Sequence, residues 1–467
     1  MENKNDTKAL KDKLFAKRES GGKTLSEEEI RKSQEFSVEY KKFLGESKTE
    51  REVVHYALAK AQKLGFTQFD RTKTYKPGDK VYAVNRDRNL VLCVIGKNGI
   101  KNGARLAVAH IDAPRLDLKP NPIIENNEIA ILKTHYYGGV KKYQWTTLPL
   151  ALHGKIVKRD GSQVEVVIGE NLDEPCFYIT DLLPHLAKDQ MSKKMSEAIT
   201  GEDLNVLIGS MPLRGAEGSE LVKLNILKLL NEKYGLVEED LICADLELVP
   251  AMKPQDVGFD RSLIAGYGHD DRSCAYPCIE AALNTSMPEN TCITFLTDKE
   301  EIGSDGNTGM KSLFLKYFIE DLCEQENVLV RDALSKSKCL SADVNAAYDP
   351  TYASSFEAFN SSFINRGVVV TKYTGSGGKY STSDASAEFT GEVCKILNDN
   401  SILWQSSELG KVDSGGGGTI AKYIATWNMD VIDIGVPVLS MHAPYEVISK
   451  IDLFMTYKAI YHFFQII

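Results

Sequence analysis

No stretch of the 467-residue chain approaches the roughly 20 consecutive apolar residues that a bilayer-spanning helix needs, so a helical membrane protein is excluded. Basic charge is also in short supply. With 56 Lys and Arg against 65 Asp and Glu the net charge is −9, spread along the chain, which argues against nucleic acid as the main partner. The nine cysteines (93, 176, 243, 274, 278, 292, 323, 339 and 394) are odd in number and have no paired spacing. A disulfide framework is therefore not expected, and a reducing cytoplasm is. Cys274 and Cys278 stand one helical turn apart, but no matching second pair exists, so they read as buried packing residues. Residues Met1 to Lys23 carry no apolar core or cleavage site, so export is not expected either. No internal repeat is evident.

What remains is an ordinary globular composition, 43% apolar and 26% charged, in a chain long enough for two domains. Ser26-Glu-Glu-Glu29 and Thr49-Glu-Arg-Glu52 are capping-box patterns that open two helices. Leu90–Ile95 and Leu106–Ala109 read as adjacent strands. From Leu116 to Val257 the strands become shorter and alternate in polarity, with Leu152–Val157 and Val164–Ile168 flanking an Arg-Asp-Gly hairpin signal. Helices are expected at Ser219–Tyr234, Ser273–Asn284, Met310–Gln325, Asp384–Asn398, Gly416–Trp427 and Tyr445–Phe464. From Leu263 onward they alternate with strands. The expected fold is thus α/β, a sheet with helices on both faces, interrupted by a β-rich insertion. The boundaries read as 1–115 with 259–467 for the catalytic domain and 116–258 for the inserted one.

Five apolar runs end in side chains that favour metals. They are Arg105–His110 (then Asp112), Leu263–Asp270, Thr291–Thr297 (then Glu300 and Glu301), Cys339–Asp343, and Val431–Met441 (then His442). Ligands gather beyond the carboxyl ends of strands in open α/β sheets, and two His with several carboxylates suit a two-metal hydrolase. His110 could be a core histidine, but Asp112 stands near enough to fix its second nitrogen. Asp270 is expected to bridge metals while Asp271 turns toward the following helix. On an extended segment Glu300 and Glu301 point apart. Glu301 then serves as ligand and Glu300 as the general base. Asp343 at a strand tip would be costly to bury without a cation, and His442 completes the set. His55, His135, His153, His185, His269 and His462 read as surface or packing residues, with His269 drawing some attention because it precedes Asp270.

The segments Ala109–Pro120, Gly268–Arg272, Asp298–Ser304, Leu340–Val344 and Ser440–Pro444 resemble the aspartyl aminopeptidase/aminopeptidase I family of dinuclear zinc exopeptidases, nearly end to end. The resemblance implies one ion on His110, Asp270 and Asp343 and another on Asp270, Glu301 and His442, with Glu300 as base. Zinc is implied, with cobalt or manganese as alternatives. The family also implies that the inserted domain dimerises and that subunits build a tetrahedral homododecamer. Its substrates are peptides with a free N-terminus, often acidic. A histidine lent by a neighbouring subunit would correspond to His185, while Asp189 stands where a second histidine is expected. The stretch Glu408–Thr419 resembles the bacterial branch.

Two glycine-rich stretches, Thr374–Ser381 and Gly415–Gly418, do not make a phosphate loop. Tyr373 occupies the first glycine position of that pattern, and Tyr380 follows Lys379 where Ser or Thr belongs. A backbone lining beside the metals is the expected use, with Lys379 available to position an anion or simply exposed. Competing readings are a two-metal deacylase or carboxypeptidase, and a metal-stabilised assembly protein without catalysis; retention of Glu300 speaks against the last.

Overall fold

The structure, a computed structural model, describes every residue except Met1, Lys17, Arg18 and Ile467. Its backbone is a nine-stranded mixed sheet. In spatial order the strands are Thr67–Gln68, Lys80–Asn85, Asn89–Val94, Thr291–Thr297, Ala104–His110, Lys338–Ala342, Asp430–Gly435, Val368–Thr371 and Trp404–Ser406. Period-2 alternation splits each central strand between two cores. Leu90, Leu92, Val94, Ala107 and Ala109 face one side, where helices Glu27–Glu46, His269–Asn284 and Lys450–Phe464 pack. Val91, Cys93, Leu106 and Val108 face the other, against Phe314–Gln325, Val330–Lys336 and Ala421–Ala425. The second capping box forms, with Thr49 and Glu52 capping each other, whereas at the first only the Ser26 side chain accepts from the Glu29 amide and the reciprocal bond is not made.

Residues Arg115 to Pro250 build a separate seven-stranded antiparallel sheet around a core that includes Trp145, Leu150 and Leu248. It closes on itself because Ala244–Pro250 pairs with both Arg115–Asn126 and Pro149–Val157. The hairpin at Arg-Asp-Gly forms in the register Leu152↔Ile168 to Val157↔Gln163. A third, five-stranded sheet joins Gln255–Val257, Leu263–Gly266, Glu446–Ser449, Pro437–Leu439 and Asn345–Ala346.

Several elements differ from the sequence reading. Asn89–Val94 and Ala104–His110 are not neighbours. Thr291–Thr297 lies between them, antiparallel to the first and parallel to the second. The run Val431–Met441 is two strands in two sheets, because Pro437 has no N–H to continue a ladder. Residues 446–449 pair with Leu263–Gly266, so the last helix begins only at Lys450, capped by Ser449. The glycines at 416–418 do not join a helix, which is confined to Ala421–Ala425. All nine cysteines are free thiols, and Cys274 and Cys278 are fully buried.

Candidate metal centre

Three parallel strands, Thr291–Thr297, Ala104–His110 and Lys338–Ala342, end at the same edge of the large sheet. They deliver Glu300 and Glu301, His110 and Asp112, and Asp343 to one place. The other two contributors arrive differently. Asp270 sits in the first turn of helix His269–Asn284, after a strand of the five-stranded sheet, and His442 follows Pro437–Leu439 of that same sheet. The site therefore lies where two sheets meet, and not beyond a single row of strands.

Asp270 is central. Its Oδ1 lies 3.1 Å from His110 Nε2 and its Oδ2 3.2 Å from His442 Nε2. Beyond these, His110 Nε2 is 3.9 Å from Asp343 Oδ1, and His442 Nε2 is 3.5 Å from Glu301 Oε2. Ligands held tetrahedrally at zinc distances stand roughly 3.3–3.6 Å apart, and the four separations, from 3.1 to 3.9 Å, bracket that spacing. His110 Nδ1 is directed at Asp112, 3.1 Å from its carbonyl and 3.3 Å from its carboxylate, which leaves Nε2 for the site. Glu301 Oε1 is buried with no hydrogen-bond partner. Buried carboxylates so close together, one with an unpartnered oxygen, are costly without a cation. The donor set fits divalent metal.

The same crowding governs protonation. Burial alone would lower both imidazoles, but facing carboxylates outweigh it: His110 is raised well above its ordinary value, and His442 to about 10. Burial would raise Asp270, yet hydrogen bonds from His110 and His442 hold it far below the usual carboxylate range. Glu301 and Asp343 are pushed up by burial and by neighbouring acids, and burial takes Glu300 to about 7.

Glu300 and Glu301 are not on an extended segment. They form a 3-10 turn between Lys299 and Gly303, both left-handed, with φ of 66° and 93°. Gly303 is needed for that conformation and not for close approach, since a Cβ there would meet only Asp305 Oδ2 at 3.9 Å. The turn is tied down by Asp112, which accepts from the Glu300 and Glu301 amides and from the Tyr137 hydroxyl. Glu300 faces the cleft but belongs to neither group of donors close enough to share an ion; those are His110, Asp270 and Glu301, and His110, Asp271 and Asp343. Asp271 is thus a correction. Its carboxylate is fully buried without a hydrogen-bond partner, beside His110 and Asp343, and does not cap the helix. His269 is a core residue, bonded to the Tyr40 hydroxyl and the Ile264 carbonyl.

Sequence reasoning missed Glu446. Buried, it accepts from the Asp270 amide at 3.0 Å and from the His442 amide at 2.7 Å, and its place four residues after His442 was the only clue. It also missed Gly139, whose carbonyl accepts from His442 Nδ1 at 2.9 Å, and Tyr137. The cleft over these groups has a volume of about 470 Å³. Gly416, Gly417 and Gly418 line it, as expected of the glycine run, together with Lys422. Lys379 points away from it, engaged by Asp384 and the Tyr373 ring. His185 and Asp189 lie on an exposed segment of the 115–250 region and take no part in the cluster within this chain.

Comparison with known proteins gives a consistent picture. The sequence model of the aminopeptidase I zinc metalloproteases (M18) matches residues 43–464. A probable M18 family aminopeptidase 1 from Clostridium acetobutylicum is 50% identical over 425 residues, 89% of this chain and 91% of that protein. The crystal structure of an M18 aminopeptidase from Thermotoga maritima superposes with a TM-score of 0.92 at 44% identity, covering 96% of this chain and 99% of that one. A yeast mApe1 dodecamer shares the fold at a TM-score of 0.74 and 21% identity, over 93% of this chain and 96% of that one.

Proposed function

Because the chain belongs to the aminopeptidase I zinc metalloprotease (M18) family and is a metal-dependent aminopeptidase, we propose that Asp270 bridges two divalent ions, zinc by preference. His110 with Asp343 completes one site and His442 with Glu301 the other, and Glu300 is the general base. The observation that carries this reading is the division of the Asp270 carboxylate, one oxygen toward each histidine. Two ions bound there would supply Lewis acidity for the scissile carbonyl and an anchor for the free α-amine. The chain's own part is to hold and move protons. Glu300, left free by the ligand set, takes a proton from the attacking water and returns it to the departing amine. Asp112 acts as a positioning residue, fixing the imidazole of His110 and the turn that carries both glutamates.

Residues 116–258 form the inserted assembly domain in this reading, and 1–115 with 259–467 the catalytic one. The exposed apolar side chains Leu182, Leu183, Leu186, Met191 and Met195 around His185 suit burial against another copy, supporting a homo-oligomer of the dodecameric, tetrahedral kind with His185 offered to a neighbour's site. Nine free thiols fit the cytoplasm.

The test is Glu300→Gln in protein reconstituted with zinc and assayed on aminoacyl amides. Metal content should be unchanged and turnover should fall by about 10²–10⁴-fold. Wild type should not cleave N-acetylated substrates, whereas a deacylase would require the acyl group. Undiminished turnover in the variant would remove Glu300 from the mechanism.

A further inference from the structure

Away from the metal centre, a polar cavity of about 450 Å³ opens between the turn after Lys80–Asn85, strand Ala244–Pro250 and the loop beyond Lys299. Five cationic side chains line it: Arg51, Arg86, Arg88, Arg115 and Lys299. Three are already neutralised. Arg51 and Arg88 meet Asp245 at 2.6 and 3.0 Å, Arg88 also meets Glu50, and Arg115 meets Glu247 and Asp117 at 3.2 and 2.8 Å. Arg86 and Lys299 are not. Among the described residues neither has a carboxylate partner; the Arg86 guanidinium donates only to the Asn85 amide oxygen.

Both free cations line the same cavity beside the backbone around Asn307. Asn85 Nδ2 donates to the Asn307 carbonyl at 2.9 Å, and the Lys299 ammonium lies over Gly306, 3.1 Å from where a Cβ would stand. Arg86 occupies a tight turn closed by the Arg88 amide on the Asn85 carbonyl, with φ of 57° at Arg86 and 54° at Asp87. Turns of this shape favour Asn-Gly. Here the chain spends two left-handed non-glycine residues on presenting a guanidinium, while Asp87 is drawn off to Lys155.

We propose that this cavity binds a small oxyanion of the sulfate or phosphate class between Arg86 and Lys299. A planar guanidinium donates two parallel hydrogen bonds to such a group and the ammonium adds a point charge. The site stands apart from the metals but touches what positions them: Lys299 directly precedes Glu300, and Tyr137, which also lines the cavity, donates to Asp112. It does not depend on the catalytic reading.

Sulfate is the probe. Titration calorimetry on the full-length, zinc-loaded protein, with chloride replaced by sulfate at constant ionic strength, should show saturable binding. Arg86→Ser and Lys299→Ser should each weaken it at least tenfold, and because Arg86 is exposed the first variant should melt like wild type. Crystals soaked in selenate should give an anomalous peak between the two side chains. A peak only at the metal centre, no saturable binding, or wild-type affinity in both variants would overturn the assignment.

Discussion

The Asp112 carboxylate accepts hydrogen bonds from the backbone amides of Glu300, at 3.1 Å, and Glu301, at 3.2 Å. One side chain beside a histidine therefore sets the orientation of two glutamates on the turn that follows a different strand.

Asp112→Asn keeps the shape and removes an acceptor, so the 3-10 turn loses one of its amide anchors. Activity should fall about 10–100-fold, the usual cost of losing an outer partner of a metal ligand. Zinc content should stay close to wild type. Measured kcat beside metal analysis separates this from simple loss of the ions.

Glu446→Gln tests the link between the two contributors from the smaller sheet. Its carboxylate oxygens accept separately from Asp270 and His442, and an amide offers only one acceptor. Metal affinity should drop by about 10–100-fold, read by competition with a chromogenic chelator. The ion beside His442 should leave first.

His153 predicts a pH-dependent clasp between the segments. Its ring lies 2.7 Å from Glu52 of the N-terminal region and 3.0 Å from Glu170, and Lys48 meets Glu170 at 2.6 Å. Burial would lower the imidazole, but the two carboxylates raise it above its ordinary 6.5, so its contribution is complete below 6.5 and fades as pH rises through the folded value. Burial would raise Glu170, yet His153 and Lys48 lower it from 4.5 to about 2, so its share is complete above 4.5 and is lost on acidification. Both shares are whole between 4.5 and 6.5. His153→Gln should cost on the order of 1–3 kcal/mol there, because it removes the charged hydrogen bonds to two half-buried carboxylates, of which Glu170 keeps Lys48 and Lys253. The gap in Tm between variant and wild type should narrow above that window.

Much of the site was legible because each contributing residue punctuates a local apolar run. His110, the glutamate pair, Asp343, Asp270 and His442 all announce themselves that way. What could not be read was how the runs assemble. Thr291–Thr297 slots between two strands that are close in sequence, and only long-range packing decides that. The run ending in His442 looked continuous, although Pro437 divides it between sheets. Asp271 read as turned toward the following helix, whereas the fold buries its carboxylate against His110 and Asp343. Glu446 and Tyr137 act on backbone and carboxylate groups brought near by tertiary structure, and such partners leave no local pattern. The hairpin, the Thr49 capping box and the Ser26 cap were legible because every interaction in them spans a few residues.

The central claim is that one carboxylate joins two ions. Anomalous diffraction at the zinc edge from crystals of zinc-loaded protein tests it most directly. Two peaks are predicted, one on each side of Asp270, the first beside His110 and the second beside His442. A single peak, or two that do not both contact Asp270, would contradict the account.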